Sequence, residues 1–285
     1  MRKIHGLIGA SAAAVLCGTA NAQLVSGFEL PQFTGSAAGQ SFVGVDGWYQ
    51  PVASGIEQSV YTYAGNALGL NQNPVGGNQF IGGRGQGGAL FPRAQRNIDF
   101  DLGNRWTMAY DMAANFDGDV PSTLNLSSAS LTSEFGAAGT FKAFIALNNF
   151  VDTSNPAAGF KAEFNVFNDT GGATNNLSPG AAWQNLKTNH WYRQIINFDF
   201  ASNRILDITI VDLTTGQSST ATPDGWYMTG GAASALDKPD GIRFFVGGST
   251  AGNIMGWDNV YVVPAPASLL AFAGAAGLIS VRRRR

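Results

Sequence analysis

Apolar and polar side chains alternate with a period of two along most of this chain. Trp106, Met108, Tyr110 and Met112 are interleaved with Thr107, Ala109 and Asp111, and Phe160, Ala162, Phe164 and Val166 with Lys161, Glu163 and Asn165. Successive strand residues point to opposite faces, so each run predicts a strand with one face on a core. Tyr192, Gln194, Ile196, Phe198 and Phe200 form a third set. Leu206, Ile208 and Ile210 against Asp207 and Thr209 form a fourth, and Ile242, Phe244 and Val246 around Arg243 a fifth. The run from Phe141 to Phe150 is apolar on nearly both faces, which predicts a central strand. Turn clusters separate the runs, among them Asp169-Thr170-Gly171-Gly172, Thr214-Thr215-Gly216-Gln217 and Asp224-Gly225. Many short strands with Gly/Asn turns predict an all-β fold, an antiparallel β-sandwich of the jelly-roll kind. Asn71–Gly88, rich in Gly, Asn and Gln, is expected to be a long surface loop, with Pro121–Gly139 a second. No repeat recurs, which disfavours a β-solenoid.

The two ends break this pattern. Residues 1–22 begin with Arg2 and Lys3, run apolar from Leu7 to Cys17 and close on Ala20-Asn21-Ala22. This is the order of a signal peptide, a helix outside the fold, with Ala20 and Ala22 at the cleavage site and signal peptidase as the partner. Cys17 raises a lipoprotein alternative, but Leu16 stands where such a site takes a small residue. At the other end, Val263-Pro264-Ala265-Pro266-Ala267-Ser268 leads into an uncharged run ending at Val281 and then into Arg282, Arg283, Arg284 and Arg285. As a helix, the apolar part would be about 22 Å long, somewhat short for an average bilayer core. The order of Pro motif, hydrophobic helix and Arg cluster resembles the PEP-CTERM sorting tail of exported bacterial proteins, with Ala265 in place of the motif's Glu. That resemblance implies an exosortase-type peptidase as a partner. It also implies a membrane contact through the C-terminal helix before processing; an uncut transmembrane anchor is the alternative. The domains expected are therefore a signal peptide at 1–22, a β-sandwich at 23–263 and a sorting tail at 264–285, in a protein exported to the cell envelope, cell surface or extracellular matrix.

Composition sharpens this picture. Only 13 % of the 285 residues are charged, against about 25 % in an average soluble domain. Without Arg2, Lys3 and the four terminal arginines, residues 23–263 hold 11 basic against 19 acidic residues, a net charge of −8. Nucleic acid is therefore not an expected partner. Cys17 is the single cysteine, so the middle of the chain has neither disulfides nor a thiol nucleophile and must rest on its core.

Short stretches in the middle resemble concanavalin A-like lectin/glucanase domains. They are Phe28-Glu29, Gly39-Gln40 and Gly47-Trp48 near the start, Asn189 to Asp199 followed by Asn203 to Asp212, and Trp257 to Val262 as an outer strand at the finish. The resemblance implies a jelly roll and a carbohydrate ligand. Glycosidases on that fold need two or three carboxylates on one strand face, because one protonates the leaving oxygen while another attacks or stabilises. No such triplet is present. Asp99 with Asp101, and Asp207 with Asp212, come nearest. His190 is the sole histidine after residue 22, which leaves little for a His-based relay, and the glycine-rich Gly82–Gly88 lacks the Lys-Ser/Thr of a phosphate loop. Asn115, Asp117 and Asp119 alternate in one loop and form a candidate Ca2+ site, with ordinary turn chemistry as the competing reading; no other cofactor is expected. Aromatic rings beside loops can stack on sugars, which makes Trp183, Trp226 and Tyr227 the candidate carbohydrate-binding residues, with Trp48-Tyr49 a further pair. The function expected is that of a non-enzymatic surface or matrix protein associated with exopolysaccharide. A glycan hydrolase on the same fold and a protein-binding adhesive or structural subunit are the alternatives.

Overall fold

The computed structural model describes residues 24–51, 56–87, 91–117, 127–132, 141–150, 159–235, 238–247 and 251–265, with 141–150 and 175–176 as backbone. Residues 1–23, with the expected cleavage-site residues Ala20 and Ala22, as well as Asp119, Pro266 and the four terminal arginines, lie outside these residues. Among the described residues no helix is long and apolar enough to cross a membrane.

Two sheets carry the fold. The nine-stranded sheet contains β1 (Leu24–Ser26), β2 (Gln40–Ser41), β5 (Ser59–Thr62), β6 (Gln79–Gln86), β8 (Arg105–Phe116), β13 (Tyr192–Asp199), β14 (Arg204–Asp212), β15 (Ser218–Ala221) and β17 (Ala251–Pro264). Its order is β15-β14-β13-β8-β17-β6-β5-β2, with β1 also on β17. The eight-stranded sheet contains β3 (Trp48–Tyr49), β4 (Ile56–Glu57), β7 (Pro92–Asn97), β9 (Ser127–Thr132), β10 (Phe141–Phe150), β11 (Phe160–Phe167), β12 (Ala173–Leu177) and β16 (Gly241–Phe245). Its order is β12-β11-β10-β9-β16-β7-β3, with β4 also on β7. All ladders are antiparallel except β4 on β7. The chain is thus an antiparallel β-sandwich.

The period-two runs supply the core between the sheets. Trp106, Met108, Tyr110 and Met112 of β8 and Ile196 and Phe198 of β13 face Phe160, Ala162, Phe164 and Val166 of β11 and Ile242 of β16. Phe244 joins the two layers, with its ring 5.2 Å from Trp257, 5.8 Å from Tyr110 and 6.0 Å from Trp48. Aromatic contacts at such separations add to the area they bury.

Four expectations from the pattern change. The glycine-rich stretch 71–88 contains β6, and 121–139 contains β9, a strand with β10 on one side and β16 on the other. In β9 the small residues of Ser-Ser-Ala-Ser hide the alternation that Ala129 and Leu131 follow into the core. In β14 a bulge opposite Asn197/Phe198 changes the face, so Ile205 instead of Leu206 joins Ile208 and Ile210 in the core. Trp257–Val262, which resembled an outer strand, belongs to β17, an inner strand with β8 on one side and, on the other, β6 at Trp257 and β1 at Val260–Val262.

Glycine in β6 marks close approach. Residues 63–78 cross the outer face of the nine-stranded sheet as a strap, covering a second apolar cluster of Tyr63, Leu68, Leu70, Phe80, Ala113 and Trp191. Gly82 and Gly256 are cross-strand partners beneath it. A Cβ on Gly82 would lie 2.6 Å from the Met255 carbonyl oxygen and 3.0 Å from Leu68, and one on Gly256 2.6 Å from Leu70. Gly82→Ala is therefore expected to cost about 1–3 kcal/mol of stability, read in chemical denaturation. An unchanged midpoint would show that the strap is not pressed onto the sheet.

Candidate functional site

Each sheet turns a polar face away from the core. On the nine-stranded sheet, β8 and β17 bring Asp111 opposite Asp258, and both are fully buried beneath the strap. Arg193 of β13, the register partner of Asp111 on the other side, donates Nε–H to Asp111 Oδ1 at 2.6 Å and an NH2 hydrogen to Oδ2 at 3.0 Å. Asn259, held at φ 46°, donates to Asp111 Oδ2 at 2.7 Å. From the strap, Asn73 donates to Asp111 Oδ2 at 2.9 Å and to Asp258 Oδ2 at 3.1 Å, and Tyr63 donates its hydroxyl to Asp258 Oδ2 at 3.0 Å. Burial raises the Asp258 carboxyl well above the usual carboxylate range, and the Asp111 charge raises it further. The Tyr63 hydroxyl is raised for the same reasons, burial first and then Asp258. Arg193 pairs with Asp111 alone of the two acids, and burial disfavours a second charge beside it at Asp258.

Beside this cluster, Thr107 hydrogen-bonds Asn197, whose amide donates to Asp207 at 2.7 Å. Burial raises Asp207, and the Asn197 bond only partly offsets it. Asp212, the other half of that sequence pair, lies at the opposite end of β14 and meets His190 Nε2 at 2.8 Å. Burial pushes Asp212 up, but His190 and the Thr215 and Thr214 amides together hold it below its usual range. Asp101 is a turn acid, held low first by Lys238 and then by the Gly103 amide.

The outer face of the eight-stranded sheet is different in kind. Here β3, β7, β16 and β9 align Tyr49, Gln95, Arg243 and Ser130 in one row. Gln95 donates to the Tyr49 hydroxyl at 2.6 Å and accepts from Arg243 Nε. In the next row Asn97, Gly241 and Thr132 are aligned, and Gly241 brings no side chain to the face. Asn97 Oδ1 and Thr132 Oγ1 in this row, and Ser128 Oγ on the far side of Ser130, are buried atoms without a hydrogen-bond partner among the described residues, and Ser128 and Thr132 have no exposed surface. Buried polar atoms in folded proteins are nearly always paired, so such a group calls for an explanation. A Cβ on Gly241 would lie 2.7 Å from Thr132 Oγ1, so the glycine here marks close packing between the strands.

The sequence-predicted residues are distributed elsewhere. Trp183 is 2 % exposed, its ring in the core and its indole N–H on Gln194 Oε1 at 3.1 Å. Trp226 is half-buried and packs on Phe164 at 5.9 Å, while Tyr227 bridges β11 and β14 and carries the Arg204 guanidinium 5.6 Å from its ring centre. Trp48 is a core residue, whereas Tyr49 is half-buried on the polar face. Asn115 Oδ1 accepts from the Phe116 amide at 2.9 Å, and Asp117 is ion-paired to Arg84 at 2.7 Å. Among the described residues no group of three His, Cys, Asp or Glu could hold a metal ion. Pro264 ends β17, and the Ala265 amide after it bonds the Arg105 carbonyl. Asp111, Arg193, Tyr63 and Asn73 were missed in the sequence because they come from separate segments. Each looked like an ordinary outward polar position.

No protein-family model matches the chain, and no curated protein is similar to it in sequence. Among solved structures it is similar to the cellulose-induced protein Cip1, at 10 % identity over 85 % of this chain and 97 % of that one, with a TM-score of 0.47. It is also similar to alginate lyase vAL-1 from Chlorella virus, at 10 % identity over 74 % and 90 % of the two chains and a TM-score of 0.42. A third is the VIP36 exoplasmic/lumenal domain in its Ca2+/Man-bound form, at 9 % identity over 68 % and 81 % and a TM-score of 0.38. Of a sialidase the chain spans 19 % of the length, and of the botulinum neurotoxin serotype G binding domain 48 %. These are likenesses of fold.

Proposed function

We propose that this is a non-enzymatic, exported protein of the cell surface or extracellular matrix that binds polysaccharide on the outer face of its eight-stranded sheet. The reading rests chiefly on the half-buried Tyr49 and Asn97 of that face, the Asn97 Oδ1 lacking a hydrogen-bond partner among the described residues. Sugars suit such a face, because a ring can cover an aromatic side chain while its hydroxyls both donate to and accept from amides and hydroxyls. The signal and sorting segments at 1–22 and 264–285 support export, with signal peptidase and an exosortase-type peptidase as processing partners. The absence of catalysis is supported by the burial of Asp111 and Asp258 under the strap, where a glycosidic oxygen cannot reach them. A Ca2+ ion at the loop of Asn115 and Asp117 would compete with Arg84, which pairs with Asp117 at 2.7 Å.

The test is binding of the purified chain to immobilised neutral and acidic polysaccharides, followed by assay of the supernatant for released reducing ends. Binding without release is expected, and Tyr49→Ala combined with Asn97→Ala should weaken it about tenfold, the loss of one aromatic contact and one hydrogen bond. Failure to bind any polymer, or unaltered binding by the double variant, would sink this assignment. Steady release of sugar would establish the hydrolase instead.

A further inference from the structure

Arg93 is the exception among the described arginines. Arg84, Arg96, Arg105, Arg193 and Arg204 each meet a carboxylate within 3.3 Å, and Arg243 is held by Gln95. Arg93 makes no ion pair among the described residues, although residues 23–263 carry a net charge of −8. It is half-buried, on the same polar face as Gln95, with its guanidinium 5.4 Å from the centre of the Phe91 ring. Phe91 meets Phe245 edge-on at 6.1 Å, and Phe245 is the cross-strand partner of Arg93. Glu57, its register neighbour on β4, accepts a hydrogen bond from Ser41 instead. Glu163 lies four strands away in the same row and is paired with Lys161 at 2.8 Å. Burial lowers the Arg93 pKa, and no nearby carboxylate offsets it.

A partly desolvated cation without a counter-charge is costly, and a ligand anion relieves that cost. The guanidinium fork matches a carboxylate in two parallel hydrogen bonds. We infer that the polysaccharide taken by this face is acidic, a uronate polymer whose carboxylate is received by Arg93 between Phe91 and Phe245 while the half-buried Tyr49 and Asn97 serve neighbouring hydroxyls. This inference rests on the polysaccharide-binding reading and adds the charge of the ligand.

The experiment measures binding of the full chain to polygalacturonate, polyguluronate and hyaluronate, each beside its carboxyl-reduced derivative, which keeps the linkage and loses the charge. At least one uronate polymer is expected to bind about tenfold more tightly than its reduced form, with the advantage shrinking as salt is raised. Arg93→Gln should erase that preference. Arg93→Lys, which keeps the charge and loses the fork, should retain a salt-sensitive remnant of it. Equal binding of charged and reduced polymers, or a preference that survives Arg93→Gln, would overturn the acidic assignment while leaving polysaccharide binding in place. Binding to none of the polymers would remove both.

Discussion

Replacing Arg193 by Met is expected to destabilise the fold by about 3–5 kcal/mol, the cost of leaving one member of a buried ion pair alone. Asp111 has no exposure through which water could replace the guanidinium, and Arg193 supplies the Nε–H contact to Oδ1 at 2.6 Å. In a domain of this size each kcal/mol moves the thermal midpoint by about 2–4 °C, so a fall of roughly 10 °C should be seen. Adding Asp111→Asn to the same chain removes the stranded charge and should recover most of the loss. A single variant within about 1 kcal/mol of the parent would mean that the cluster is hydrated and the strap loosely held.

The strands of the core were legible in the sequence because a buried sheet face imposes alternation on large side chains. Trp106 to Met112 and Phe160 to Val166 could be read directly for that reason. Where the core face is filled by Ala129 and Leu131 among serines, or where glycine lies under a strap, the same physics leaves no such trace and β9 and β6 read as loops. A bulge is equally silent, which is why Leu206 was placed on the wrong face. The polar faces were less legible still. Thr107, Asp111, Arg193 and Gln95 look like ordinary outward positions, and only the register of strands distant in sequence shows which of them meet. Tyr49 could be suspected from an aromatic pair beside a turn, but nothing local distinguishes it from Trp48, which the core takes. Arg93 carries no local signal either, since its distinguishing property is the lack of a carboxylate.

Asp258→Asn is expected to change how stability depends on pH. The Asp258 carboxyl is raised well above the usual range by its burial and then by Asp111. The groups around it are Asp111, Tyr63, Tyr261, Arg193 and, farther off, Glu29; of the two acids, Asp111 is the one that Arg193 pairs with. In the unfolded chain Asp258 loses its proton near pH 4, whereas in the folded chain it keeps it to higher pH. Unfolding between those two values therefore releases a proton. The stability contributed by this carboxyl is complete below about pH 4 and declines as pH rises, by about 1.4 kcal/mol per unit, until the folded carboxyl itself ionises. Asp101 and Asp212 run the other way, since their lowered carboxyls contribute stability above pH 4 that is lost on acidification. Both remain in the variant and cancel in the comparison. Asparagine keeps the shape of the side chain and has no proton to lose. Denaturation of parent and variant between pH 4 and 8 should thus show a difference that moves steadily in favour of the variant as pH rises, whatever its value at pH 4. A difference that stays constant would mean that Asp258 is ionised in the folded protein, and that Tyr63 and Asn73 fasten the strap to a charge instead of a neutral acid.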